Sequence, residues 1–409
     1  MTRLRYSIFT RSKNARRHRA PIVRHLWGIL LLHVGCAAAD PAAPSQLHGF
    51  VSQGYIYTTD NNFFGPSSDK GSFEYTELGL NFSFLPSDRI LATAQALGRQ
   101  AGGAGSDLEL DYALIDYRLP SSERVDAGFR FGRIKTPLGL YNDTRDVAFT
   151  RPSIILPQSI YFDRSRDIAL SGDGALFYGE QRLQSGSISI EAEIVKPRVG
   201  NLEKILLGAD RAGSMSGDPS FVSRLIFDSA DEKLRLALSV LRVRHNYEPG
   251  ENDPSGAGHV IFSPRLFSLQ YSAEKWISSF EYARRTFSFR DIAYIPVSEQ
   301  TGESYYLQTQ YNTSRNTWAV ARYDVLYQNV EDRSGSKLES RTSGARPGHS
   351  QFAKDFTLGW RWQFWPNYML ALENHWIDGT AWLPIEDNPE PGKTTQRWRM
   401  LMMLVSARF

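Results

Sequence analysis

The sequence predicts an all-β chain that closes into an antiparallel transmembrane β-barrel of about 16 strands. Three observations indicate this fold class. Apolar and polar residues alternate with a period of two, short turns and long polar loops follow one another in strict succession, and the final segment ends on Phe409. Such a pattern is typical of strands that face lipid on one side and water on the other.

The first 39 residues have the order of a secretory signal peptide. Basic residues precede the apolar run Leu26 to Val34, and Ala37-Ala38-Ala39 follows it. We expect cleavage after Ala39, which leaves residues 40–409 as a single barrel domain. Two alternatives stay open: a lipoprotein acylated at Cys36, and a transit peptide, since residues 1–39 contain no acidic residue. The leader is long for a signal, which also fits a true translation start downstream of Met1.

Removing this leader reverses the sign of the net charge. Eight of the 47 Lys and Arg residues and none of the 44 acidic residues lie in it, so 39 basic residues remain against 44 acidic ones, a net charge of −5. This balance argues against a nucleic-acid-binding protein. The only cysteine, Cys36, is also in the leader. We therefore expect no disulfide, no thiolate metal site and no cysteine nucleophile in the mature chain. We also predict no metal and no cofactor.

The alternation is clear in several segments. Leu78, Leu80, Phe82 and Phe84 alternate with Gly79, Asn81 and Ser83, and the pattern recurs in residues 125–131, 188–194, 234–240 and 356–362. We expect the apolar set to face lipid and the other set to face a wet lumen. No uncharged apolar stretch approaches the roughly 20 residues that a spanning helix needs.

The connections alternate between short and long. The short turns predicted are residues 86–88, 120–123, 181–186, 228–233, 272–275, 312–316 and 366–367. The long loops predicted are residues 59–72, 99–107, 136–172, 197–219, 246–260, 288–303, 329–351 and 378–395. Seven turns and eight loops join 16 strands, with both ends on the periplasmic side, and aromatic residues cluster near strand ends as interfacial girdles.

The last segment alternates Leu401, Met403, Val405, Ala407 and Phe409 with Met402, Leu404, Ser406 and Arg408. We expect it to close the barrel beside the first strand, so that no sheet edge meets lipid. A terminal strand ending on an aromatic residue also predicts an assembly signal at Phe409.

The third loop, residues 136–172, is the longest and mixes many apolar residues with charges of both signs. An exposed loop would gain little from those apolar groups, so we expect it to fold into the lumen and narrow the pore. The predicted solute-contacting residues are Arg130, Arg133, Lys135, Arg145, Arg151, Arg164, Arg166, Asp143, Asp146, Asp163 and Asp167. Other predicted lumen-facing charges are Arg235, Arg285, Arg322, Arg361, Glu191, Glu193, Glu281 and Glu373.

These charges have two interpretations. Fixed guanidinium groups could attract anionic solutes along the pore. Alternatively, arginines and aspartates of the loop pair with each other and hold its shape. Arg133 shares the parity of Phe131, which would put it above the membrane instead of in the pore.

The runs GRIKTPLGLYNDTRD and RPSIILPQSIYFDRSRD, with the closing strand, carry a family resemblance. The chain resembles porin-like outer-membrane proteins of Gram-negative bacteria and is similar in layout to the phosphate-selective porin family. The resemblance implies passive diffusion of small hydrophilic or charged solutes across the outer membrane. It also implies contact with outer-membrane lipid, insertion by the barrel assembly machinery through the C-terminal strand, and a homotrimer.

Two other functions are alternatives to a channel. A barrel enzyme of the lipase, acyltransferase or protease type needs a positioned nucleophile and base. The histidines His48, His245, His259, His349 and His375 lie in no catalytic motif, and HExxH, GxSxG and phosphate-loop patterns are absent from the sequence. An adhesin-like barrel would depend on its outer loops, in which no repeat or binding motif is visible. The sequence therefore favours a channel that is not an enzyme.

Overall fold

The computed structural model describes residues 44–104, 106–200, 202–207, 213–251, 253, 255–293 and 298–409. The expected signal peptide and Cys36 lie outside these residues. The described residues form sixteen strands in one closed antiparallel barrel, which confirms the predicted fold class. The strands are β1 Ser45–Thr58, β2 Ser72–Ser87, β3 Ile90–Ala101, β4 Ser106–Arg118, β5 Val125–Lys135, β6 Ser171–Leu183, β7 Gly186–Pro197, β8 Ser214–Ser229, β9 Leu234–Glu248, β10 Gly258–Ser272, β11 Trp276–Arg290, β12 Glu299–Ser314, β13 Thr317–Tyr327, β14 Phe352–Trp365, β15 Tyr368–Gly379 and β16 Arg397–Arg408.

The first and last strands close the barrel. β1 and β16 pair antiparallel, in the register Phe50 with Arg408 and Thr58 with Met400. Beyond β16, Phe409 donates its N–H to Gly49 O at 2.9 Å and accepts from Gly49 N at 3.1 Å. The Phe409 ring lies where a side chain at position 49 would be, since a Cβ there would come within 2.4 Å of it. Closure leaves no unpaired edge between the first and last strands.

The turn and loop pattern is also as predicted. The short turns are residues 88–89, 119–124, 184–185, 230–233, 273–275, 315–316 and 366–367, and the opposite connections are residues 59–71, 102–105, 136–170, 198–213, 249–257, 291–298, 328–351 and 380–396. The loop predicted at residues 99–107 is shorter than expected, because ladder pairing continues as far as Gln100 with Ser106.

Apolar side chains point outward on most strands. On β2, Leu78 is 54% exposed and Phe82 is 49% exposed. The prediction of a wet inner face fails on β16, whose inward Met402 and Leu404 are buried at 0% and 1% exposure. Loop side chains pack against that part of the wall, which keeps water away from it.

Two short α-helices occur in the described loops, α1 Leu202–Leu207 and α2 Ser336–Arg341. Short 3-10 turns lie at Gly102–Ala104, Asn142–Thr144, Arg166–Ala169, Gly348–Gln351 and Pro391–Lys393. Within the described residues, every helix is too short or too polar to cross a membrane.

Candidate constriction site

The β5–β6 loop, residues 136–170, contacts the wall on opposite sides. Arg151 Nη2 donates to Glu77 Oε2 of β2 at 2.7 Å. Tyr161 Oη donates to Glu281 Oε2 of β11 at 2.6 Å. Both glutamates lie on the buried sides of their strands, and β2 and β11 are far apart in the circular strand order. The β5–β6 loop therefore contacts the buried side of two strands that are far apart in the strand order.

Arginines of the wall bind the backbone of this loop. Among the described residues, wall arginines donate to loop carbonyls in five pairs: Arg224 to Gly139 O at 2.8 Å, Arg285 to Ser159 O at 2.9 Å, Arg322 to Ile155 O at 3.0 Å, Arg361 to Ala148 O at 2.9 Å, and Arg361 to Arg151 O. Glu373 of β15 accepts from Ile154 N in the same region. The loop backbone therefore forms hydrogen bonds with these wall charges. Arg322 is almost fully buried, with 1% of its surface exposed.

Asp146 is the centre of one ion-pair group of the loop. It accepts from Arg166 Nη2 at 2.6 Å and pairs closely with Lys135 of β5. Lys135 also lies 2.5 Å from Asp111 of β4. The group is nearly dry, since Asp146 is 2% exposed and Asp111 is 0% exposed. Pairing of this kind offsets the cost of removing these charges from water.

Asp163 is the centre of a second group. Its Oδ1 lies 2.9 Å from Arg99 Nη2 of β3, 3.6 Å from Arg145 Nη2 and 3.9 Å from Arg166 Nη1. Burial alone would raise the pKa of this loop carboxyl, but Arg99, Arg145 and Arg166 outweigh burial and lower the pKa below the ordinary 3.8. Arg145 also donates to Tyr161 O at 3.1 Å, which fixes the curvature of the loop.

Apolar contacts attach the loop to two different parts of the barrel wall. Ile154 and Ile155, each 1% exposed, belong to a cluster with Met369, Met402 and Leu404 of the β15–β16 wall. Across the barrel, the second cluster joins loop residues Leu138, Leu156, Ile160 and Tyr161 to wall residues Val222, Leu241, Phe262, Leu266 and Tyr306. Complete burial of such a side chain contributes about 1.5–3 kcal/mol.

Glu281 connects the loop to the wall through several hydrogen bonds. Its carboxylate accepts from Ser268 Oγ at 2.5 Å, Tyr161 Oη at 2.6 Å, Tyr306 Oη at 2.8 Å and Leu140 N at 3.1 Å. Ser268 and Tyr306 belong to the wall, whereas Tyr161 and Leu140 belong to the loop. All four donors point at one carboxylate, so this buried charge is well satisfied without a cation.

A smaller set of inward charges is open to solvent. The Arg130 side chain is 35% exposed, and its Nε lies 2.9 Å from Asp116 Oδ2. Tyr178 Oη donates to Asp116 Oδ1 at 2.7 Å, and the Arg130 guanidinium lies 4.8 Å from the Tyr178 ring centre. On the loop, the Asp143 side chain is 41% exposed and pairs with Arg224 Nη2 at 2.7 Å. Water can therefore reach these groups.

Three other predicted loop-region charges lie outside the ion-pair groups. Arg133 is on the same side of β5 as the exposed Phe131, and pairs with Asp173 at 2.7 Å. Arg133 therefore lies on the outer face of the barrel, on the side opposite to Arg130. Arg164 and Asp167 form no ion pair within 4 Å among the described residues, and Arg164 Nε is buried without a hydrogen-bond partner there.

The remaining predicted wall charges differ in their surroundings. Glu191 lies 2.6 Å from Arg224, and Arg235 lies 2.7 Å from Asp228 near the turn end. Glu193 is 0% exposed, and both of its carboxylate oxygens lack a hydrogen-bond partner among the described residues. Glu193 is thus buried without the pairing that surrounds Glu191.

Sequence reasoning missed five charged residues of the site: Glu77, Arg99, Asp111, Asp116 and Arg224. Glu77 has the inward parity of Asn81 on β2, so the period-two pattern contained the signal for it. The same pattern would have placed Asp116 opposite the outward Ile115. No sequence signal indicated which of the inward charges the loop would cover.

The chain matches no protein-family model and no curated protein. It is similar in structure to the anion-selective porin from Comamonas acidovorans, with a TM-score of 0.55 and 11% identity over 89% of this chain and 99% of that one. The outer membrane channel DcaP of Acinetobacter baumannii matches with a TM-score of 0.53 and 11% identity, over 89% of this chain and 97% of that one. The trimer form of in-vitro folded OmpT, an outer membrane protein of Vibrio cholerae, matches with a TM-score of 0.54 and 10% sequence identity, over 89% of this chain and 99% of that one. At these identities the likeness shows the barrel fold.

Proposed function

We propose that this protein is a passive diffusion channel for small hydrophilic or charged solutes. The observation that carries the proposal is the set of solvent-exposed charges on the inward side of a closed 16-stranded barrel, Arg130 and Asp143 above all. Charges are exposed there only if water enters the barrel, and barrels of this size leave an aqueous channel. The solved structures named above include a porin and an outer membrane channel, which supports the same function.

The selectivity proposed for this channel is weak and mixed in sign. Arg145, Arg151 and Arg166 of the loop are paired with carboxylates, so they add little net positive field to the lumen. Arg130 and Asp143 carry opposite charges, which gives a field across the pore with no strong preference for one sign. The resemblance to phosphate-selective porins implies a preference for phosphate; this finer proposal is tested by comparing phosphate with chloride currents.

We also propose the outer membrane of a Gram-negative bacterium as its location. The exposed apolar outer face requires lipid, and the similar solved structures include outer membrane proteins. The proposed partners are outer-membrane lipid, the assembly machinery acting on the strand that ends at Phe409, and two further copies in a homotrimer. One of the similar solved structures is a trimer form, which supports the last of these.

Purified protein in a planar lipid bilayer tests the function. We expect stepwise ion conductance, because water fills the lumen beside the β5–β6 loop. The reversal potential in a KCl gradient then gives the sign of selectivity, and we expect a value near zero. Heat-unfolded protein at the same concentration is the control. Absence of steps from folded, inserted protein would contradict the proposal.

A further inference from the structure

Three arginines form a row on the outward face of the barrel. Arg242 of β9, Arg265 of β10 and Arg284 of β11 are exposed. Arg265 lies directly opposite Arg284 across the β10–β11 ladder. On its other side Arg265 is opposite Val240, two residues from Arg242 along β9. Direct and diagonal neighbours on one face of a sheet lie within reach of long side chains, so the charges of this arginine row act together.

The described residues do not neutralise the arginine row through ion pairs. None of its members has an ion pair within 4 Å among the described residues. Glu303 of β12 lies opposite Arg284, but it accepts from Tyr282 Oη at 2.8 Å and pairs closely with Arg333. Like charges placed directly opposite each other destabilise a sheet. An anion from outside the chain would remove this cost.

The arginine row lies where the outward face changes from apolar to polar. Toward the turn end, the outward residues next to the row are Val240 at 39% exposure on β9, Phe267 at 41% on β10 and Tyr282 on β11, and Phe280 follows Tyr282. Toward the loop end, the next outward residues are polar: Arg244, Ser263 and Thr286. In a membrane barrel this boundary is the level of the lipid headgroups.

We propose that the arginine row binds the phosphate groups of an anionic lipid in the leaflet at the loop end of the barrel. Guanidinium groups bind phosphate oxygens in a bidentate manner, and three adjacent ones favour a headgroup with more than one phosphate. The lipid tails would then lie along the apolar strip below the row. The carboxylates of a second copy are a less suitable partner, because the row borders the strip that faces lipid on three neighbouring strands.

The test is native mass spectrometry of the detergent-solubilised protein with added diphosphorylated lipid A. We expect wild-type protein to retain this lipid and the R265Q/R284Q variant to bind it about tenfold more weakly or worse. The matched control is Arg290→Gln, which removes an exposed arginine of β11 that is already paired with Glu299 at 3.0 Å. Lipid A without its phosphates and inorganic phosphate alone should both bind weakly to the wild type.

A second readout separates a lipid site from a merely structural role. Without lipid, R265Q/R284Q should unfold at a higher temperature than wild type, because it removes like-charge repulsion; with lipid A the order should reverse. The R265K/R284K variant keeps the charge but cannot bind phosphate in a bidentate manner, so its affinity for lipid A should lie between those of the wild type and R265Q/R284Q. Equal binding by wild type and R265Q/R284Q, or equal binding of dephosphorylated lipid, would overturn the proposal. So would loss of the oligomer in R265Q/R284Q without any change in lipid binding, which would make the row a subunit contact.

The inference rests on the proposed membrane location and not on conduction, so the bilayer recordings and this assay can fail separately.

Discussion

Arg151 and Glu77 form a two-point ion pair, with Arg151 Nη2 at 2.7 Å from Glu77 Oε2 and Nη1 at 3.2 Å from Oε1. The guanidinium comes from the β5–β6 loop and the carboxylate from β2, and both are nearly inaccessible to solvent. A buried pair of this geometry holds the loop in place. Because its two charges cancel, the pair adds little net charge to the lumen. The loop is therefore attached to the wall next to the barrel seam.

Replacing Arg151 with alanine should release this side of the loop. Breaking this buried pair leaves Glu77 in a dry site with Arg99 alone, whose Nε lies 3.5 Å from Glu77 Oε1, and loss of such a pair costs up to about 3–5 kcal/mol. We expect larger fluctuations of single-channel current and faster proteolytic cleavage within residues 136–170. Arg164→Ala is the matched control, since it removes an arginine of the same loop that has no ion pair among the described residues. Equal noise in the two variants would mean that the pair does not anchor the loop.

Arg130→Ala should shift the reversal potential toward cation selectivity. Its side chain is 35% exposed on the inner face, within reach of passing ions. A unit charge about 4 Å from an ion interacts by about 1 kcal/mol in water, so we expect a several-fold change in the permeability ratio at low salt. Arg133→Ala provides the control on the outer face of the same strand and should leave the reversal potential unchanged. An effect of Arg133→Ala as large as that of Arg130→Ala would refute this assignment.

Asp143→Asn should shift the reversal potential in the opposite direction. Its carboxylate is 41% exposed, and its removal leaves Arg224 with Glu191 as its ion-pair partner among the described residues, beside the hydrogen bond to Gly139 O. The pore then gains net positive charge, so anions should pass more easily. The shift should shrink as salt concentration rises, because mobile ions screen the field. A shift that does not depend on salt would indicate a structural change of the loop instead.

Tyr161→Phe and Tyr306→Phe form a matched pair around Glu281. Each change removes one hydrogen bond to the same carboxylate, worth about 1.5–3 kcal/mol. Tyr161 Oη also accepts from Leu140 N at 2.8 Å and Tyr141 N at 3.1 Å, whereas Tyr306 belongs to the wall. We expect both variants to lower the free energy of unfolding in urea, and only Tyr161→Phe to speed proteolysis of the loop. Identical proteolysis rates would contradict an anchoring role for Tyr161.

The ion pairs that attach the β5–β6 loop to the wall through Asp163 should weaken in strong acid. The pKa of Asp163 lies below its ordinary 3.8, since Arg99, Arg145 and Arg166 outweigh the effect of burial. A carboxyl with a lowered folded-state pKa stabilises the fold fully above its unfolded pKa, and loses that contribution as pH falls through the folded value. Current noise should therefore rise below about pH 3.8. Asp163→Asn should show high noise already at neutral pH, and a wild-type-like pH profile in this variant would exclude Asp163 as the titrating group.

The sequence by itself determined the barrel. Strand count, the succession of turns and loops, and the outward set on β2 all follow from local patterns, because side-chain direction in a strand alternates residue by residue. The same rule gave the inward parity of Arg285, Arg322 and Glu281. These features need no knowledge of which distant residues meet.

Only the tertiary structure decided which inward charges remain open to solvent. Arg322 and Arg130 have the same inward parity, yet Arg322 is buried under Ile155 of the loop and Arg130 is open to water. The inner face of β16 is dry for the same reason, since Met402 packs in the cluster that contains Ile154 and Ile155. A loop's path depends on contacts between residues far apart in sequence, such as Arg151 with Glu77. Local periodicity contains no information about such contacts, and so the scaffold was readable from the sequence whereas the shape of the constriction was not.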